Sequence, residues 1–354
     1  MTTIPEKAPA IQAKIKTRDP YFDNFKGFLV ICVILSHFVH DIYDDSPFRE
    51  YLYMYLMMFA VPAFVFMSGY FSRNVEKCRR TAVQTFLIPY LIYDLLFACL
   101  QYAVLQPDKT FHNFLQITRP KWGLWYLFAM FIYRLFASDI KKVRSTPVIA
   151  FIIGIGAGFC GEFSTEYSLG RVFSLCFFFV LGLSMTEESM DKVKHFNKAA
   201  AVIILIALAF LIPFLMNFEF HSTTLMTHET ILARKPYGLA HRKLSAVRRI
   251  IFYLLGTLMT YMLMVIMPWT KSILTQIGKN SITAYVFHLF ILWPMRQYGF
   301  FDLQFIYYNP AGTVAISVII SFLIAFLLSR EPVRKFYDFI VNGVNKIIFR
   351  EKAV

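Results

Sequence analysis

Apolar residues in this chain come in runs about as long as a bilayer is thick. The first covers residues 22–41, and with its neighbours reads YFDNFKGFLVICVILSHFVHD. A helix needs about 20 residues to cross the hydrocarbon, and by that measure ten segments qualify. They are 22–41, 51–71, 82–104, 122–138, 147–162, 170–187, 199–216, 249–268, 281–299 and 311–329. The pattern predicts an all-α polytopic membrane protein of about ten transmembrane helices. A polar and basic stretch, residues 1–20, precedes the first run and reads as a cytoplasmic tail, not a cleaved signal. Residues 21–330 form one membrane domain with no visible internal repeat. Residues 331–354 combine an apolar stripe with basic flanks. They read as a tail that is cytoplasmic or lies along the membrane surface, or as a last helix packed on the bundle.

Composition agrees with the pattern. The 354 residues are 57% apolar and only 16% charged, against about 25% charged in soluble domains. The formal net charge is +14. Most Lys and Arg fall in alternate connections, which predicts both termini in the cytoplasm of a cell-membrane protein and contact with anionic lipid, not nucleic acid. One connection breaks the rule: ARKPYGLAHRKLSAVRR, from Ala233 to Arg249, would lie outside and could attract an anionic headgroup or glycan. The five cysteines show no paired spacing, so neither a disulfide framework nor a metal site is expected.

The polar residues inside the apolar runs carry the chemistry. His37 and Asp41 are four apart on the first helix and share a face. A carboxylate beside an imidazole fixes its tautomer and favours general-base work. Asp23 lies fourteen residues before His37, about 21 Å along a straight helix. Together with Lys26 it belongs to the cytoplasmic mouth. Ionisable groups inside a membrane usually mark a site or a pathway, although a histidine at a span end also serves as a simple hydrogen-bonding group. Asp94 and His288 are open to the same two readings. The cluster Arg73, Lys77, Arg79 and Arg80 would suit phosphates, and it would equally suit the positive-inside rule. Trp122, Trp125 and Tyr126 match an interfacial aromatic belt.

Several pieces taken in order resemble the acyltransferase-3 family of integral membrane acyltransferases, in particular its fucose 4-O-acetylase-like branch. These are DNFKGFLVICVILSH with Asp23, Lys26 and His37, then VPAFVFMSGYF, LIPY, WYL, YSLGRVFSLCFFFVLG and IGKNSITAYVFH. The resemblance spans nearly the whole chain. It implies transfer of an acetyl group, or another short acyl group, from acetyl-CoA to a sugar hydroxyl. The acceptor would be a cell-surface polysaccharide or its polyprenyl-linked precursor. It points to His37 for catalysis, and the spacing along the helix adds Asp41 as the aid of His37 as base. Asp23, Lys26, Arg73, Lys77, Arg79 and Arg80 would form the donor site. One departure stands out. Many members carry an Arg-x-x-Arg pair before the third-span proline, where this chain has Val83 and Phe86. Lys77 and Arg80 keep a similar spacing further upstream. A transporter or flippase for a glycan or lipid-linked sugar would use the same polar residues as a pathway and remains the alternative.

Overall fold

The computed structural model describes residues 18–42, 47–105, 117–159, 166–216, 239–303 and 310–350. Every regular element among them is helical. Helix α1 (Pro20–Asp41) starts where the sequence supplies a cap: the Asp19 side chain accepts from the Tyr21 N–H, and Pro20 sits in the first turn. Its 22 residues rise about 33 Å, enough to cross the hydrocarbon. Helix α2 (Pro47–Tyr70) returns beside it. A short polar helix α3 (Val75–Ala82) follows, then a π-helical turn (Val83–Leu87) and α4 (Ile88–Leu105). Next come α5 (Trp125–Lys142), α6 (Thr146–Ala157), α7 (Leu169–Ser184), α8 (Glu187–Lys194) and α9 (Lys198–Met216). The last group is α10 (Leu239–Ile266), α11 (Ile273–Lys279), α12 (Ser281–Gln297), α13 (Pro310–Leu328) and α14 (Glu331–Ile348).

The expectation of ten transmembrane helices is not met. Among the described residues six helices are long and apolar enough to cross a membrane, or eight if each of two bent pairs counts as one span. The losses have local causes. The fifth candidate is α6, 12 residues and therefore about 18 Å long. The ninth is α12, 17 residues that include Thr283, His288 and Arg296. The sixth, α7, has 16 residues and turns by 98° into the charged α8. The tenth, α13, bends by 59° into α14. Apolar length alone therefore overcounted, because several runs are short or broken. The protein is an all-α, multi-pass membrane protein, consistent with a cell-membrane location.

Glycines bring the central helices into backbone contact. A Cβ on Gly69 of α2 would strike the Phe179 carbonyl of α7, and one on Gly182 would strike the Phe66 carbonyl. Gly27 of α1 and Gly278 of α11 make the same kind of approach. Small residues are how helices pack closely where lipid offers no hydrophobic drive. Asn24 then pins the mouth. Fully buried, it donates to the Pro268 and Thr270 carbonyls, each at 2.8 Å, and accepts from Ser272 and Thr275 at 2.8 and 2.6 Å. An amide with both donors used and its oxygen twice occupied is fully satisfied. Around α1 lie α2, α11, α12 and α13, so its polar face is turned inward.

Candidate active site

Near the far end of α1 the His37 ring is half-buried between two others. The Trp122 and His288 rings each lie 5.3 Å from it, centre to centre. Neither neighbour is placed by chance. Asp94, buried on α4, forms a 3.1 Å ion pair with the Lys121 ammonium and accepts from the Lys121 N–H at 3.2 Å. On the other side the Tyr285 hydroxyl donates to the Gly123 carbonyl. These two clamps hold the turn Trp122–Leu124. Within it Trp122 has φ 44°, a left-handed conformation that a bulky residue adopts only when its surroundings impose it. The turn pushes the indole against His37.

His288 is fully buried on α12. Its Nδ1 lies 3.1 Å from the Ala284 carbonyl. A carbonyl can only accept, so Nδ1 carries the hydrogen, and Nε2 of the neutral ring presents a lone pair. That Nε2 is buried and has no hydrogen-bond partner among the described residues. Ring contacts continue from His288 to Tyr285 at 6.0 Å and from Tyr285 to Tyr126 at 5.1 Å. The Tyr126 hydroxyl shares a 2.7 Å hydrogen bond with Ser68. The Arg171 guanidinium lies over Trp125 and within electrostatic reach of His37 and Tyr285. The centre thus combines two imidazoles, phenol hydroxyls and a nearby cation.

Among the described residues no hydrogen bond joins Asp41 to His37. The Asp41 carboxylate pairs with Arg296 of α12 at 3.2 Å, and its second oxygen is buried without a partner among the described residues. Helical spacing put the two residues on one face, but a guanidinium from another helix took the carboxylate. His40 stacks on Tyr53 at 4.9 Å. Ser36, weighed as an acyl acceptor, is buried and donates to the Val33 carbonyl at 2.7 Å. The Asn280 amide, a possible oxyanion donor, is spent on the Ser329 carbonyl at 2.8 Å.

The other end of α1 holds the expected mouth. Asp23 accepts from Arg18 at 2.6 and 2.9 Å and pairs with Lys26 at 2.8 Å. A pocket of about 570 Å³ opens here, and Asp23, Lys26 and Arg73 all line it. Lys77, Arg79 and Arg80 do not; they are exposed on α3, with Arg79 3.5 Å from Asp139. The proposed donor cluster is therefore split. Of the basic segment 233–249, Arg234 lies outside the described residues. Arg249 is buried and donates to the Gly154 carbonyl at 3.1 Å and to Ser174. It serves packing, not an outer surface.

This constellation lies within a region of known kinship. The acyltransferase-3 family, described as an acyltransferase domain, matches residues 19–330. The chain belongs to this family. Comparison with curated proteins and with solved structures finds no match. Membership makes the chain an acyltransferase-type membrane protein and implies a donor of the acyl-CoA kind. It also bears on a residue that sequence reasoning passed over. Phe86 occupies a position where the resemblance led us to expect arginine. The Arg134 guanidinium of α5 lies over the Phe86 ring at 4.7 Å, and its Nε is buried without a partner among the described residues. The signal for Arg134 was an arginine inside an apolar run, FIYRLF. For Trp122 no such signal existed, because only the clamped turn aims it inward.

Proposed function

We propose that this protein is a membrane O-acyltransferase. It moves an acetyl or other short acyl group from acyl-CoA to a hydroxyl of a cell-surface polysaccharide or its polyprenyl-linked precursor, as in the fucose 4-O-acetylase-like branch. The observation that carries this reading is the pairing of an accessible His37 with a buried His288 of defined tautomer, in a chain of an acyltransferase family.

His37 is the base. It takes the proton of the acceptor hydroxyl as that oxygen attacks the thioester carbonyl. The new C–O bond forms, the C–S bond breaks, and the departing thiolate recovers the proton from His37. The products are the ester and free CoA, and the protein ends unchanged. Direct transfer needs no acyl-enzyme, and the engagement of Ser36 by the Val33 carbonyl favours this route. His288 is the positioning partner. Its free Nε2 lone pair accepts an N–H from His37 after a small ring rotation, which leaves the other His37 nitrogen as the acceptor of the substrate proton. Asp41, held by Arg296, shapes the rim of the site. Trp122 and Tyr53 offer faces on which a sugar ring can stack. The donor arrives from the cytoplasm at the end where α1 begins.

Full-length protein in nanodiscs, given labelled acetyl-CoA and a panel of sugars and polyprenyl-linked glycans, tests the reading. CoA release that depends on acceptor and disappears in His37→Ala supports it. Acceptor-dependent release that His37→Ala leaves undiminished rejects His37 as the base.

A further inference from the structure

A second and larger cavity, about 790 Å³, lies between the π-helical turn before α4, the start of α12 and the helix α14. Its position follows from one proline. Pro89 has no N–H to give, and the Ile88 N–H already goes to the Val83 carbonyl in the π-helical turn. The helix therefore leaves the Gln84 carbonyl short of a backbone donor. The amide of Asn345, on α14, approaches that carbonyl at a long 3.4 Å, and the Asn345 Oδ1 is buried with no partner among the described residues. The Gln84 carbonyl thus has one long donor and the Asn345 Oδ1 has none among the described residues, so each can take a further N–H. A buried acceptor left open is costly.

The charge of the two pockets separates their uses. In the smaller pocket every cation is answered by a carboxylate: Arg18 and Lys26 by Asp23, Arg73 by Glu187, and Lys194 by Asp19. A phosphate would have to break those pairs. In the larger cavity only Arg334 is answered, by Asp338 at 2.7 Å. Lys346 and Arg350 also line it, and neither has a carboxylate partner among the described residues. Phe86 and Phe349 supply flat apolar walls.

We infer that this cavity binds the adenine nucleotide end of the acyl donor. An exocyclic amine with two N–H groups matches the Asn345 Oδ1 and the Gln84 carbonyl. The base lies against Phe86 or Phe349, and the phosphates meet Lys346 and Arg350. Ile282 lines the cavity and His288 follows six residues later on the same helix, a rise of about 9 Å. Six residues also turn the helix by about 600°, so Ile282 and His288 face about 120° apart, and the pantetheine arm would wrap around α12 to close that offset. The inference rests on the proposed acyl-CoA-dependent reaction and moves the donor site from α3 to α14.

Binding of CoA to the full-length protein in nanodiscs, followed by calorimetry, tests it. The double variant Lys346→Glu, Arg350→Glu changes exposed side chains, so the fold is retained. It should weaken CoA binding by about tenfold or more, as loss of charge-assisted contacts does. The adenosine bisphosphate fragment should compete with CoA, and its inosine analogue, which lacks the amine, should compete poorly. Unchanged CoA affinity in the double variant overturns the inference, even if acyl transfer proceeds normally. So does equal competition by the inosine analogue. A variant that loses only its response to anionic phospholipid in the nanodisc, with CoA affinity intact, makes the cavity a lipid headgroup site and also overturns it. If the wild type binds CoA through these residues but transfers no acyl group, the inference stands and the proposed reaction falls. If the wild type binds no CoA, both fall.

Discussion

The two ends of α1 use polar residues in opposite ways. At the Pro20 end the charges of α1 are answered within the chain: Asp23 holds Arg18 and Lys26, and Asn24 is fully satisfied beside them. At the Asp41 end polar atoms are left open. Among the described residues no hydrogen bond reaches the His37 ring, and the His288 Nε2 and one Asp41 oxygen have no partner. Groups whose valences are closed inside a protein hold it together. Groups left open in a membrane interior, where each costs free energy, persist where a ligand completes them. The comparison separates scaffold from site along one helix.

That separation is easiest to break at His37. His37→Ala should lower acceptor-dependent CoA release by roughly 10²- to 10⁴-fold, the range of general-base catalysis, with little change in thermal stability. A large loss of stability with it would place His37 in the scaffold. His288→Leu should fall between wild type and His37→Ala in turnover. Its melting temperature should stay near that of the wild type, because its Nε2 bonds nothing among the described residues. The scaffold end predicts the reverse signature. Asp23→Ala strands the half-buried Lys26 and frees Arg18, and should cost about 1–3 kcal/mol of stability. A melting curve in detergent reads this directly. Asp23→Ala protein that unfolds at the wild-type temperature would show that the mouth is not a structural clamp.

Two smaller effects sharpen the contrast. Asp41→Asn should leave turnover within a few-fold of wild type, since the carboxylate pairs with Arg296 and no hydrogen bond joins it to His37 among the described residues. A loss as deep as that of His37→Ala would restore Asp41 as the orienting partner. Neutralising Lys77 and Arg80 together should change CoA affinity least of all. Both are exposed on α3 outside the two pockets, and such surface changes stay within about 0.5 kcal/mol.

Part of this was legible in the residues alone. Apolar runs and scarce charge announced an α-helical membrane protein, and the ordered pieces around His37, the Ser-Gly-Tyr of α2 and IGKNSITAYVFH announced the family. The span count was overestimated because hydropathy does not see where a run bends, as at Ser184 and Leu328. The Asp41–His37 dyad was plausible from spacing, yet spacing within one helix says nothing about a guanidinium arriving from α12. His288 was visible as a histidine among apolar neighbours. That it meets His37 is a fact about the packing of α1 against α12, 251 positions apart in numbering (288 − 37).

What the sequence determined by itself is local: helix lengths, the Asp19 cap, the π-helical turn before Pro89, and a histidine at a depth set by rise per residue. These follow from interactions between residues close along the chain. What only the tertiary structure decided is which polar atoms remain unpaired. Whether Asp23 is closed by Arg18, Asp41 by Arg296, or His288 left open depends on which distant side chain reaches each first. Burial makes that outcome energetically decisive, and no spacing rule carries it.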